Sequence, residues 1–228
     1  MFSAVKCIAL NGLEGYLVRV QVDVSAGMPA WDIVGLPDAS VREAKERVKT
    51  AIKNSRFELE SRKITVNLAP ANFRKEGTSF DLPIAIGILK SFGYIKYEFD
   101  DTVFTGELSL DGTINKVKGI LPICIEAKKL GIKRVIVPVE NEEEGAIVDG
   151  IEIIGMRNLK EVVSYLNKIT KIKAQNIKID NIFKNEEISI DFSDVRGHEN
   201  IKRALEVAVA GLHGVLMIGG PRITGKQC

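Results

Sequence analysis

The residues best suited to chemistry stand in a glycine-rich stretch close to the end of the sequence. Read from Gly220, the stretch has the spacing G-x-x-x-x-G-K, and an apolar run at 215–218 that predicts a strand leads into it. This is the pattern of a phosphate-binding loop, in which backbone N–H groups and a lysine bind phosphate oxygens. The sequence therefore predicts a nucleotide-binding site. Its candidate residues are Gly220, Pro221, Arg222, Ile223, Thr224, Gly225, Lys226 and Gln227.

The same stretch departs from a working ATPase site at Gln227. A phosphate-binding loop that uses magnesium has Ser or Thr after the lysine, because the hydroxyl is a ligand of Mg²⁺. The sequence stops one residue later, at Cys228, so we expect it to lack a second acid for Mg²⁺, a sensor and an arginine finger. We therefore expect ATP and Mg²⁺ binding to be weak or absent in this chain, and ATP hydrolysis to be absent.

A second candidate site is a basic segment in the first third of the chain. Residues 42–75 hold ten Lys or Arg and four Asp or Glu, whereas the whole chain has a net charge of +2. Such a cluster can bind DNA phosphates in a salt-dependent way, or it can be the solvated face of a helix. Because we see no regular interleaving of aromatic residues, we predict no base stacking. The candidate DNA-binding residues are Arg42, Lys45, Lys49, Lys53, Arg74 and Lys75.

Composition indicates a soluble globular protein, since 45% of the residues are hydrophobic and 27% are charged. No apolar run reaches the roughly 18 residues that span a bilayer, and the first residues lack the layout of a signal peptide. The three cysteines and two histidines have no metal-ligand spacing. We expect no metal site, no membrane partner, a cytoplasmic location, and reduced thiols of which two lie in the core.

These candidate sites must be positioned by alternating strands and helices. Apolar alternation predicts strands at 15–25, 29–35, 63–68 and 134–137 and a hairpin around Asp111-Gly112 within 102–118. Helices are predicted after Asp38, after Asp81 as a cap, at 120–130, after Asn158 and at 201–211, and residues 142–144 are interpreted as a solvated helix start. The pattern favours an α/β domain with a mixed sheet over 1–167, a linker over 168–192 and a second unit over 193–228.

Several long motifs resemble those of one family. They read IVGLPD from Ile33, ITVNLAPA from Ile64, KEGTSFDLPIA from Lys75 and FSDVRGHEN from Phe192. Up to Gly220, the chain resembles the YifB/ComM family of magnesium-chelatase-like AAA+ ATPases. The resemblance implies an N-terminal domain with the fold of ribosomal protein S5 domain 2 and of the Lon protease catalytic domain. It also implies a truncated start of an AAA+ ATPase domain over 193–228.

The family binds ATP with Mg²⁺, forms hexameric rings and processes DNA by branch migration during natural transformation. The resemblance therefore implies ATP-dependent DNA processing, with this chain inactive as an ATPase by itself. Family members read G-P-P-G-S-G-K followed by Ser or Thr, whereas this chain has Arg222 and Ile223 at the second Pro and the following Gly. If that glycine position needs a positive φ, Ile223 costs about 1–2 kcal/mol. The alternative function is a non-enzymatic DNA-binding, protein-binding or assembly domain.

A third function, serine peptidase, is suggested by the resemblance to Lon at Ser79. The resemblance places Ser79 in the loop that carries the Lon nucleophile, which needs a lysine as its base. Leu121 stands at the position of that lysine, and Lys116 and Lys118 lie upstream of it. We therefore disfavour peptidase activity, predict no catalytic residue in this chain, and interpret Ser79 as a loop or helix-capping hydroxyl.

Overall fold

The computed structural model describes residues 1–172, 174 and 192–218. The chain divides into two compact units, Met1–Ile179 and Asp180–Cys228. In the described part of the first unit, nine strands and five helices follow one another along the chain. The strands are β1 Phe2–Asn11, β2 Glu14–Ser25, β3 Ala30–Val34, β4 Lys63–Ala69, β5 Thr102–Phe104, β6 Glu107–Leu108, β7 Ile114–Asn115, β8 Arg134–Pro138 and β9 Glu152–Met156. The helices are α1 Ala39–Asn54, α2 Asp81–Ser91, α3 Ile120–Lys129, α4 Glu142–Ala146 and α5 Leu159–Leu166.

Seven of the strands form one sheet in the order β3-β4-β2-β1-β5-β8-β9. Strand β2 is antiparallel to β1 and to β4, and the other four neighbouring pairs are parallel. The predicted α/β class with a mixed sheet is therefore confirmed. The predicted hairpin is narrower than 102–118, because β5 joins the large sheet and only β6 and β7 pair around the turn.

The two faces of this sheet carry separate apolar clusters. The first cluster packs side chains of α1, α2 and α5 against the sheet, and the second packs α3 against it. Central strands supply both clusters, since Cys7 and Ile136 belong to the first whereas Ile8 and Val135 belong to the second. Cys7 and Cys124 are free, buried thiols, so the prediction that two cysteines lie in the core is confirmed.

Two details of the predicted helix starts were wrong. Asp81 is the first residue of α2 and does not cap it, because its buried carboxylate is bonded to Arg47 and to the backbone N–H of Leu108. Glu142 does begin α4, but its side chain is buried, and its Oε1 accepts a hydrogen bond of 3.1 Å from the backbone N–H of Gly155. Both carboxylates accept hydrogen bonds from donors of the protein itself.

The second unit is described over residues 192–218. It contains a short 3₁₀ turn, Phe192–Asp194, and helix α6, Glu199–Ala210, which ends at Gly211 as predicted. The strand predicted at 215–218 is not formed, since residues 213–218 have no regular structure. A strand needs a neighbouring strand for its hydrogen bonds, and the described part of this unit contains none.

Candidate nucleic-acid interface

Helix α1 presents a basic face because its opposite face is buried. Asp38 caps the helix, and its Oδ1 accepts a 2.7 Å hydrogen bond from the backbone N–H of Val41. The inward stripe, fully buried, consists of Val41, Ala44, Val48, Ala51 and Ile52. Lys45, Lys49 and Lys53 follow one another at intervals of four residues, so their Cα atoms lie about 6 Å apart along one side of the helix.

An ion pair between the partly exposed Arg47 and the buried Asp81 fixes α1 against α2. Arg47 donates from Nε to Oδ2 of Asp81 at 2.8 Å and from Nη2 to Oδ1 at 3.0 Å, which is a bidentate pair. The carboxyl of Asp81 has no exposed surface. Burial raises the pKa of Asp81 and the hydrogen bond from Arg47 opposes that rise, whereas the same bond raises the pKa of Arg47. The pair therefore holds the basic helix in a fixed position on the core.

Beside the basic face lies a groove of about 800 Å³, which we call the α1 groove. It is bounded by α1, by the chain that follows α1 and by the start of β3. Its charged lining residues are Lys45, Lys49, Lys53, Arg56, Glu58, Glu60 and Arg62. Arg62 binds Glu60 at 2.6 Å. Among the described residues, none of the other four cations has an ion-pair partner, so their charges face solvent.

The apolar lining of the α1 groove includes two aromatic residues. Trp31, Phe57, Leu59 and Ile64 line the groove together. The side chain of Phe57 is half-buried, and its ring contacts the ring of Tyr94 edge-on at a centroid distance of 5.1 Å. Trp31 is 8% exposed, and its indole N–H has no hydrogen-bond partner among the described residues. The structure thus brings aromatic and basic side chains together, which the sequence spacing did not predict.

The predicted DNA-binding residues divide into three groups. Lys45, Lys49 and Lys53 line the α1 groove, whereas Arg42 and Arg74 are exposed outside it. Lys75 is the exception, because its side chain is buried.

The buried ammonium of Lys75 is held by its own loop. It donates to the backbone oxygen of Phe73 at 2.9 Å and to that of Pro70, and it lies 4.3 Å from the centre of the Phe73 ring. Burial lowers its pKa. Since it has no exposed surface, we remove Lys75 from the candidate interface.

The loop of Ser79 shows no arrangement of a nucleophile with a base among the described contacts. The backbone oxygen of Ser79 accepts a hydrogen bond of 3.1 Å from the backbone N–H of Gly106, and its hydroxyl has no hydrogen-bond partner among the described residues. The neighbouring Thr78 donates from its hydroxyl to Glu107. Lys116 and Lys118 are exposed. Leu121 donates its backbone N–H to Glu144 at 3.1 Å.

The predicted phosphate-binding residues, 220–227, lie outside the described residues, so their interpretation stays a prediction. Within the described ranges, no helix is long and apolar enough to cross a bilayer. The same ranges contain no group of three or more His, Cys, Asp or Glu side chains that would hold a metal ion.

Comparison with known proteins shows which protein family this chain resembles. Residues 20–141 match the family described as subunit ChlI of Mg-chelatase, and residues 191–228 match magnesium chelatase, subunit ChlI. The chain is 36% identical over 221 residues to the competence protein ComM of Haemophilus influenzae and 37% identical over 225 residues to a YifB protein of Escherichia coli.

The two alignments cover 96% and 98% of this chain but only 43% and 44% of the relatives. The chain therefore spans less than half the length of these curated relatives. It is also 30% identical over 198 residues to Lon protease 2 of Bacillus subtilis, an alignment that covers 75% of this chain and 35% of that protein.

Proposed function

Because the chain belongs to the YifB/ComM family of magnesium-chelatase-like proteins, we propose that it is part of an ATP-dependent DNA-processing protein of the cytoplasm. In this proposal its first unit contacts DNA through the basic face of α1. The name of the Haemophilus influenzae relative, a competence protein, supports a role in the handling of incoming DNA. The similarity to Lon protease 2 supports the proposal that the first unit has the fold of ribosomal protein S5 domain 2 and the Lon catalytic domain.

One observation carries the DNA part of the proposal. Lys45, Lys49, Lys53 and Arg56 project from one side of the molecule, and within the described ranges none of them has an acidic partner. Unpaired cations aligned along a rigid helix bind a phosphate backbone with release of its counterions. The acids Glu58 and Glu60, which line the same groove, offset only part of this charge.

The ATP part of the proposal rests on the sequence of residues 220–227. Gly225 and Lys226 keep the groups that bind phosphate, whereas Gln227 lacks the hydroxyl that binds Mg²⁺. We therefore propose that nucleotide binding by this chain is weak and that it does not hydrolyse ATP by itself. As part of the same proposal, the chain takes part in the hexameric ring that its family forms.

The first prediction tests the basic face directly. Substitution of Lys45, Lys49 and Lys53 by alanine removes up to three phosphate contacts while keeping helix propensity high. We expect weaker binding of a fluorescein-labelled DNA, and a slope of log affinity against log salt that is smaller by about three. Fluorescence anisotropy at several salt concentrations measures both quantities.

The matched control is the triple alanine variant of Lys116, Lys128 and Lys133, which are exposed lysines outside the α1 groove. It changes the net charge equally, so it should leave most of the affinity intact. Equal losses in the two variants would show that DNA responds only to net charge. An absence of DNA binding by the unaltered chain at low salt would instead favour a protein-binding or assembly domain.

A further inference from the structure

Resting on the proposed function, we infer that the α1 groove binds single-stranded nucleic acid in preference to duplex. The phosphates lie along the lysines of α1, and the bases lie on the apolar lining. The charge of helix α1 alone determines neither whether the nucleic acid is single-stranded nor where its bases lie.

The spacing of the lysines indicates a ligand that carries several negative charges in a row. Lys45 and Lys53 are eight residues apart on one helix, so their Cα atoms are separated by about 12 Å. A single phosphate group does not reach both ends of this row. One nucleic-acid strand presents a charge at every nucleotide, and it can therefore contact all three lysines in turn.

The composition of the groove indicates that bases enter it. Trp31, Phe57, Leu59 and Ile64 supply an apolar surface beside the cations, which contacts with phosphates alone would leave unused. Proteins that hold single strands combine a basic groove with aromatic side chains on which bases stack. The half-buried ring of Phe57 is the residue best placed for such stacking.

The unpaired indole N–H of Trp31 is the second, independent observation. Buried donors without a partner are rare in folded proteins, and each one calls for an explanation such as an absent ligand. Trp31 lines the groove and is nine-tenths buried. Because this N–H has no exposed surface, a ring nitrogen or carbonyl oxygen of a base reaches it only when the Trp31 side chain turns toward the groove on binding.

A duplex does not make the same contacts. Its bases are stacked and paired, and they must be unstacked before they leave the helix. A duplex can therefore touch the lysines with its backbone but leaves the apolar lining of the groove empty. The groove should discriminate between the two forms through Phe57 and Trp31, because the lysines bind both.

The test compares a labelled oligothymidylate with a duplex of the same length, using the full chain at one salt concentration. We expect the single strand to bind at least several-fold more tightly. Substitution F57L should weaken single-strand binding by about tenfold through the loss of stacking, with little effect on the duplex. Substitution W31F keeps an aromatic ring but removes the N–H, and it should also weaken only the single strand.

The control variant is Y97L, which changes an exposed aromatic residue that does not line the groove. Trp31 is the only tryptophan, so its fluorescence should change on addition of the unlabelled single strand in the unaltered chain. Circular dichroism checks that F57L and W31F are folded before binding is compared.

The outcomes separate this inference from the proposed function. Equal affinity for duplex and single strand, or F57L and W31F variants that bind as the unaltered chain does, would overturn the inference while leaving DNA binding by α1 intact. A mononucleotide that competes as well as the oligonucleotide would overturn it too, because the row of lysines would then be irrelevant. If the unaltered chain bound neither the single strand nor the duplex, both this inference and the proposed DNA-binding function would be overturned.

Discussion

Single residues in this protein show how one residue type can have opposite roles. Lys49 and Lys53 are exposed and unpaired within the described part of the chain, whereas Lys75 is buried and bound to backbone oxygens. Arg47 belongs to the same basic segment but forms an ion pair with a fully buried carboxylate. Charge alone therefore does not identify the residues that are available to a ligand. The ion pair of Arg47 with Asp81 contributes to the stability of the fold and not to ligand binding.

The second prediction concerns this pair. Replacement of Arg47 by alanine leaves the carboxyl of Asp81 buried without its partner, which should lower the free energy of unfolding by about 3–5 kcal/mol near neutral pH. Without Arg47, burial is opposed only by the weaker hydrogen bond from Leu108, so the pKa of Asp81 rises further in the folded state.

A raised pKa in the folded state means that protonation favours folding, and this contribution is lost as the pH rises through that pKa. The difference in the free energy of unfolding between the R47A variant and the unaltered chain should therefore shrink as the pH falls from about 7 to about 5. Urea denaturation at both values measures it. The double variant R47M/D81L should recover much of the loss, because it removes the unpaired charge and fills the site. A deficit that is independent of pH would contradict this explanation.

The candidate site could be predicted from the sequence only in part, for a reason visible in individual residues. Lys45, Lys49 and Lys53 follow helical spacing, so their common side was predictable. Trp31 is in a strand distant along the chain, and it reaches the groove only through the pairing of β3 with β4. The burial of Lys75 depends on the fold of its loop, and the spacing of apolar residues in the sequence does not predict the fold of a loop.

At the scale of elements, clean periodicity decided what the sequence could predict. Strand β2 alternates between buried and exposed positions, and helix α1 has one buried stripe, so both were predicted and are confirmed. Strands β1 and β9 were missed. At the start of β1 the apolar Phe2 is exposed and the polar Ser3 is buried, so the sequence does not alternate as expected. Residues 7–9 of β1 and most of β9 are covered on both faces, as the burial of the neighbours Ile153 and Ile154 shows. A strand buried on both faces has no alternation to detect.

The third prediction concerns the N-terminal cap of α1. The variant D38A removes the acceptor for the backbone N–H of Val41 and should lower the free energy of unfolding by about 1 kcal/mol. The variant D38N keeps a side-chain oxygen and should retain most of the stability. The midpoint of urea denaturation, with an unchanged m-value, measures the difference.

The control for this change is E46A, since Glu46 is an exposed residue in the middle of the same helix and should be nearly neutral. If D38A were as stable as D38N, the side chain of Asp38 would not stabilise the helix. Because the core still holds the helix in place, D38A should bind DNA as the unaltered chain does, which separates the stability of α1 from its role in binding.

At the scale of the whole molecule, the first unit contains its own core. Among the residues that the structure describes, all members of both apolar clusters lie within residues 1–174, including Ile172 and Ala174, which pack against the first cluster. In the described part of the second unit, α6 has 12 residues, of which only Ala208 is buried. Helices of this length are marginal in water without packing partners.

The fourth prediction follows from this unequal distribution of the core. A chain that ends at residue 174 should fold, unfold in one cooperative transition and keep the urea midpoint of the full chain, because no described residue of either apolar cluster is removed. It should also keep the DNA affinity of the full chain, since α1 and the α1 groove lie within it. A synthetic peptide of residues 192–218 should show little helix by circular dichroism, because α6 alone buries too little apolar surface to offset its ordering entropy. A lower midpoint for the shortened chain would show that the second unit stabilises the first, and a loss of DNA affinity at an unchanged midpoint would move the binding surface out of the first unit.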